Sequence, residues 1–199
     1  MKMRTTKPEA GNKFYITKSK GGYSTCIEGY PTDVCNVLAN CVGYACGRFN
    51  EIIGNMKYPN LNCNAENFIE RAKNYGLEIS DKPVLGGIMV WQKGASLSGS
   101  DGAGHVAVVE SIIDSNTIIT SESGYASRPF WTTKRTNANG RWGIGSGYTF
   151  RGCIVNPSVK EEIKKPEIKE NPLDKYSDED LANKVIRGDF GSGDARKKA

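Results

Sequence analysis

The feature that most constrains the fold is a change of hydrophobic period at Pro83. Before it, apolar residues recur at spacings of three and four; after it, the chain breaks into short runs rich in β-branched residues. The first helical pattern begins after Asn40, a favoured N-cap, and carries Val42, Ala45, Cys46, Phe49, Ile52 and Ile53 on one face until Gly54 stops it. A second, "NAENFIERAKNYG", is expected to be capped by Asn64 and closed by Gly76. Downstream, "GIMVWQK" (87–93), "HVAVVESII" (105–113) and "TIITSES" (117–123) read as strands, with "DSN" turning the last two into a hairpin. "RPFWTTKR" and "YTFRGCIV" read as further strands. Helices followed by strands predict an α+β domain, N-terminal helices packed on an antiparallel β-sheet. Residues 11–36 read as loops with room for one short strand, with turns at "GGYSTC" and "GYPTD".

The composition shifts again at Asn156. The domain is expected to end there (1–156), and residues 157–176, with prolines, alternating charge and almost nothing to bury, describe an extended linker. Residues 177–199 then open a separate module. Ser177 stands three residues before Asp180, like a capping box, and Leu181, Val185 and Ile186 run to a stop at Gly188. This piece is too short to build a core alone, since chains below about 40 residues rarely fold unaided.

Charge and cysteine content exclude several classes. The net charge of +5 comes entirely from residues 1–156, which hold 17 Lys/Arg against 12 Asp/Glu, while the remainder holds ten of each. Such an excess favours an anionic partner, but the basic residues form no basic-aromatic stripe, so no nucleic acid is expected. No run approaches the roughly 18 apolar residues of a membrane span, and no membrane partner is expected. The N-terminal "MKMRTTKPEAGNKFY" has no apolar run behind its basic residues, so synthesis without a secretory signal in a cytoplasm is expected. Six cysteines at 26, 35, 41, 46, 63 and 153 are then expected as reduced thiols. Without a CxxC pair, and with a single histidine, a zinc site is not expected.

Cys41 is the first residue of the predicted helix. Unsatisfied N–H groups and the helix dipole favour an anion there, and hence a thiolate, whereas Cys46 lies on the interior apolar face as a small hydrophobe. A cysteine nucleophile needs a base, usually a histidine oriented by a third polar group. His105, the only histidine, begins a strand after the Gly-rich "SGSDGAG". The hairpin returns strand 117–123 alongside it and brings Glu122 toward it, where a carboxylate would hold the imidazole Nδ1–H and favour the imidazolium. A helix-start cysteine is more often inert, and a lone histidine more often structural, so on these residues alone both readings stand.

"NCVGYACGRFNE", "GIMVWQKG", "GAGHVAVVE" and "SESGY", in this order, resemble the CHAP domain, a papain-like amidase/peptidase domain of phage and bacterial peptidoglycan hydrolases. The resemblance covers roughly residues 12–156. It implies Cys41 as nucleophile, His105 as base and Glu122 as orienting acid, with the Cys41 N–H and the Asn40 side chain steadying an oxyanion. It also implies a Gram-positive peptidoglycan substrate and a groove to which Trp91, Tyr125, Trp131 and Trp142 are candidate walls, although each reads at least as well as a core residue, since aromatics bury large areas. No cofactor is expected. Two positions depart from the family pattern: Gly86-Gly87 where many members have an Asp before the first sheet strand, and Gly124 where others have Asn two residues after the acid. Some members bind calcium through an Asp-x-Asp loop ahead of the cysteine; residues 26–40 hold only Glu28 and Asp33, so no calcium site is expected. The tail "LANKVIRGDFGSGDARKKA" is similar to the first half of a choline-independent cell-wall-binding repeat of streptococcal phage lysins. Together these imply a phage endolysin, made in the host cytoplasm and acting on the wall after release. The other expectations are an inactive cell-wall-binding protein and a cytosolic cysteine peptidase.

Overall fold

A computed structural model describes residues 1–9, 12–15, 40–58, 61, 63–94, 104–125, 127–159 and 177–187. The chain divides into two compact units, Met1–Glu161 and Glu162–Ala199. In the first, helix α1 (Cys41–Ile53) and a short 3-10 turn (Ala65–Asn67) leading into helix α2 (Phe68–Asn74) precede six strands. These are β1 (Ile79–Ser80), β2 (Ile88–Lys93), β3 (His105–Asp114), β4 (Thr117–Glu122), β5 (Trp131–Thr136) and β6 (Tyr148–Ile154). They form one antiparallel sheet in the order β1-β6-β2-β3-β4-β5. The α+β class and the strands from "GIMVWQK" onward therefore match the sequence reading. β1 is an addition: two residues are too short to leave a pattern.

The sheet is covered on both faces, which explains the unbroken apolar run of β2. Ile88, Val90, Val106, Val108 and Ile154 join the cluster built by α1 and α2, with Tyr44, Phe49, Leu61 and Phe68 fully buried. Met89, Trp91, Ala107, Val109, Ile118, Trp142 and Cys153 form a second cluster. The period-two alternation of β2 and β3 sorts residues between the two clusters. Each large apolar side chain so buried contributes about 1.5–3 kcal/mol.

Helix α1 starts and stops as its sequence dictates. Asn40 caps it, and Gly54 ends it at φ 89°, a left-handed conformation that glycine adopts without cost. The N-terminal segment crosses the helix at Gly47, where a Cβ would lie 2.6 Å from the Phe14 carbonyl oxygen and 2.8 Å from the Tyr15 ring. The second helix differs from expectation at its start. Asn64 precedes the 3-10 turn, but its side chain makes no capping bond.

Charged residues also enter this core, and they are paired. Arg48 Nε and Nη2 donate to the two oxygens of Glu110, each at 2.8 Å, and Nη1 donates to Glu51 at 2.7 Å. Arg4 adds a second ion pair to Glu51 and donates its backbone N–H to Glu110 at 2.9 Å. A cavity of about 480 Å³ opens beside this N-terminal strap, lined by residues 1–6 with Arg48, Glu51 and Ile52.

In the second unit, helix α3 spans Asp178–Arg187. Ser177 Oγ donates to Asp180 Oδ2 at 2.7 Å and accepts the Asp180 N–H at 3.1 Å, the reciprocal start that the sequence suggested. The turns at "GGYSTC" and "GYPTD", the loop "SGSDGA", linker residues 160–176 and the Gly188 stop lie outside the described residues. No helix among the described residues is long and apolar enough to cross a membrane.

Candidate active site

Cys41 is the first residue of α1, and the residue before it organises the helix end. Asn40 Oδ1 accepts the N–H of Val42 at 2.9 Å and of Gly43 at 3.4 Å. The Asn40 backbone N–H donates to Ser123 Oγ at 3.0 Å, which ties the start of α1 to the residue after β4. Cys41 thus sits at the positive end of a helix dipole, 9% exposed. The Asn40 side-chain Nδ2 is buried and has no hydrogen-bond partner among the described residues.

His105 opens β3 opposite Trp91 of β2. The preceding Gly104 has φ +73°, and a Cβ there would lie 2.2 Å from the Trp91 carbonyl oxygen. Only glycine lets the chain enter β3 so close to β2. Two indole rings stack on the imidazole: Trp91 at 6.0 Å and 25°, and Trp131 at 6.4 Å and 9°. His105 Nε2 lies 2.7 Å from Glu122 Oε2, and the Cys41 side chain is its other hydrogen-bond partner. Three elements, α1, β3 and β4, therefore bring Cys41, His105 and Glu122 into one row.

The contact with Glu122 corrects one expectation. The acid faces Nε2, not Nδ1. Two further corrections concern the groove. Trp91 is 0% exposed and Trp142 is 5% exposed, both inside the second core cluster, so neither is available to a polymer substrate. Of the aromatic residues considered, Tyr125 is exposed and Trp131 is half-buried, with Arg128 stacked 5.9 Å over the Trp131 ring.

Glu122 is fully buried, and it is gripped by a residue that the sequence reading passed over. Arg135 Nε donates to Oε1 and Nη2 to Oε2, both at 2.8 Å, while Thr120 Oγ1 donates to Oε1 at 2.5 Å. The only hint was the alternation of β5, which puts Trp131, Thr133 and Arg135 on one face. The segment between β4 and β5 is too long to fix register, so that hint could not be turned into a contact.

The electrostatics follow from this row. Burial opposes a charge on His105, but hydrogen bonds to Cys41 and Glu122, and the negative charge of both, outweigh it and raise its pKa to about 9. Burial likewise opposes a charged Glu122, yet the bonds from His105 and Arg135 and their positive charges bring it down to about 2. An imidazolium held against an ionised carboxylate is the state this arrangement favours. Among the described residues, no group of three or more His, Cys, Asp or Glu is arranged to hold a metal ion. The segment weighed for calcium, residues 26–39, lies outside them.

Residues 30–124 match the family model of the CHAP domain. No curated protein matches the chain significantly. Among solved structures, the chain is similar to a crystal structure of an N-acetylmuramoyl-L-alanine amidase from Staphylococcus aureus, with 26% sequence identity and a TM-score of 0.41. That similarity covers 51% of this chain and 28% of the other.

Proposed function

We propose that this domain is a cysteine-dependent peptidoglycan hydrolase that cleaves an amide bond of the stem peptide. The observation that carries the reading is the row Cys41–His105–Glu122, built at a helix start and a sheet end within the segment that matches the CHAP domain. A thiolate at a helix N-terminus paired with an imidazolium is an activated nucleophile that needs no external base.

In the reaction, the Cys41 thiolate attacks the amide carbonyl carbon and a C–S bond forms as the carbonyl oxygen takes the negative charge. The Cys41 backbone N–H and Asn40 Nδ2, which has no hydrogen-bond partner among the described residues, donate to that oxygen in this reading. His105 then gives its proton to the leaving nitrogen, and the C–N bond breaks to leave a thioester. Water, deprotonated by the now neutral His105, attacks the thioester, releases the carboxylate and restores the thiolate. Glu122 stays ionised throughout and keeps the ring aligned. Trp131 and Tyr125 offer the substrate an aromatic wall beside His105.

The proposed setting is that of a phage endolysin: a catalytic domain over residues 1–156, a linker over 157–176 and the start of a wall-binding repeat over 177–199. The resemblance of the tail to such a repeat supports a Gram-positive wall as the target. The bond is that between muramic acid and L-alanine, or one within the peptide or its bridge. Digestion of purified Gram-positive walls, with new N-termini identified by mass spectrometry, decides between them: N-terminal L-alanine marks an amidase, and glycine, lysine or another bridge residue marks an endopeptidase. A protein that pulls down with walls and releases no new N-terminus would instead be a binding protein.

A further inference from the structure

We propose that Arg135 is a positioning residue for this site: its two-pronged grip fixes the Glu122 carboxylate against His105 Nε2 and supplies the counter-charge the buried row requires. The inference rests on the hydrolase reading and deepens it.

The carboxylate has no freedom left. Oε1 accepts from Thr120 Oγ1 at 2.5 Å and from Arg135 Nε at 2.8 Å; Oε2 accepts from Arg135 Nη2 at 2.8 Å and faces His105 Nε2 at 2.7 Å. Rotating it toward any other position breaks two charge-assisted bonds at once. Arg135 is itself held, because Nη1 donates to the Trp142 carbonyl at 3.2 Å and the guanidinium stacks 5.0 Å over the Trp91 ring. That same indole stacks on His105. Arg135 therefore braces both the acid and the wall behind the base.

Charge balance gives the second argument. Thiolate, imidazolium and carboxylate sum to one negative charge in a buried row, and Arg135, 8% exposed, brings the sum to zero. The groups that face Glu122 are His105 from β3, with Cys41 of α1 beyond it, Thr120 on its own strand, and Arg135 from β5. Among the described residues, His105 and Arg135 are its charged hydrogen-bond partners. Remove the arginine, and burial drives Glu122 to take a proton at higher pH, which breaks its bond to the imidazolium.

The test uses the whole chain with Arg135→Gln and Arg135→Lys. Alkylation of Cys41 by iodoacetamide is followed against pH by peptide mapping, wall solubilisation is measured alongside, and the ring signals of His105, the only histidine, are followed by NMR. We expect the acid limb of Cys41 reactivity to move up by at least about one pH unit in Arg135→Gln, with about a tenfold loss at pH 6. KM should be unchanged, since Arg135 is buried and each of its three nitrogens donates inside the protein. Arg135→Lys keeps the charge but not the fork, and should fall between. If Arg135→Gln proves unfolded by its histidine signal, Arg135→Lys decides alone. Profiles that superpose on wild type overturn the inference while leaving the hydrolase reading intact. A wild-type Cys41 that alkylates like a free thiol overturns both.

Discussion

Tyr44 Oη donates to Ser121 Oγ at 2.7 Å, joining the first turn after Cys41 to the residue beside Glu122. Ser121 passes the bond on to Glu110 Oε1 at 2.7 Å, so the helix that carries the thiol and the strand that carries the acid share one buried polar chain. Tyr44→Phe removes one bond and leaves Ser121 still partnered. It should cost about 1 kcal/mol in urea unfolding and slow Cys41 alkylation. Unchanged stability and reactivity would show that the Tyr44–Ser121 bond contributes nothing to holding the two elements together.

Arg48 and Glu110 make the buried ion pair beneath this chain, with side chains 7% and 0% exposed. Replacing Arg48 by Met leaves Glu110 with an uncompensated charge. The expected cost is about 3–5 kcal/mol, read from denaturant midpoints, and it should far exceed that of Tyr44→Phe. A loss below about 1 kcal/mol would mean that Arg48 is not needed to hold the buried Glu110 carboxylate.

The pH dependence of stability has a definite sign. His105 is raised from 6.5 to about 9 on folding, so its contribution is complete below about 6.5 and is lost as pH rises through about 9. Glu122 is lowered from 4.5 to about 2, so its contribution is complete above about 4.5 and is lost as pH falls through about 2. The stability difference between wild type and His105→Ala should therefore shrink between pH 6.5 and pH 9. Urea unfolding of the two proteins across that range measures it, and a constant difference would contradict the imidazolium state.

Gly104 sets where β3 begins. At φ +73° and with the Trp91 carbonyl 2.2 Å from a Cβ, alanine must push the strands apart just where His105 enters. Gly104→Ala should cost about 1–3 kcal/mol and reduce wall cleavage more than it reduces stability. Thermal unfolding and cleavage rates, measured on the same sample, separate the two effects.

How much of this was legible in sequence depends on the range of each interaction. Asn40 and Gly54 bound α1, and Ser177 opens α3 with Asp180, because caps and stops are local chemistry. The short hairpin at 114–117 returns β4 along β3 and so brings Glu122 toward His105, whereas the two register shifts on the way left no mark in the sequence. Which imidazole nitrogen meets the acid was not legible, since it depends on the orientation of the ring, a side-chain torsion that strand pairing does not set. Arg135 was hidden for a related reason: it pairs with Ile118 and reaches past Thr120 to Glu122 across a connection whose length leaves register open. Trp91 and Trp142 read equally well as groove or core, and only the second layer over the sheet puts them in the core.

The most direct test of the central claim is the release of soluble peptidoglycan fragments from purified Gram-positive walls by wild type and by Cys41→Ala, compared at equal concentration near pH 7. The account predicts that wild type releases fragments with new N-termini and that Cys41→Ala, still folded, releases none. Equal release by both proteins would contradict it, because the bond would then be cut without the thiol.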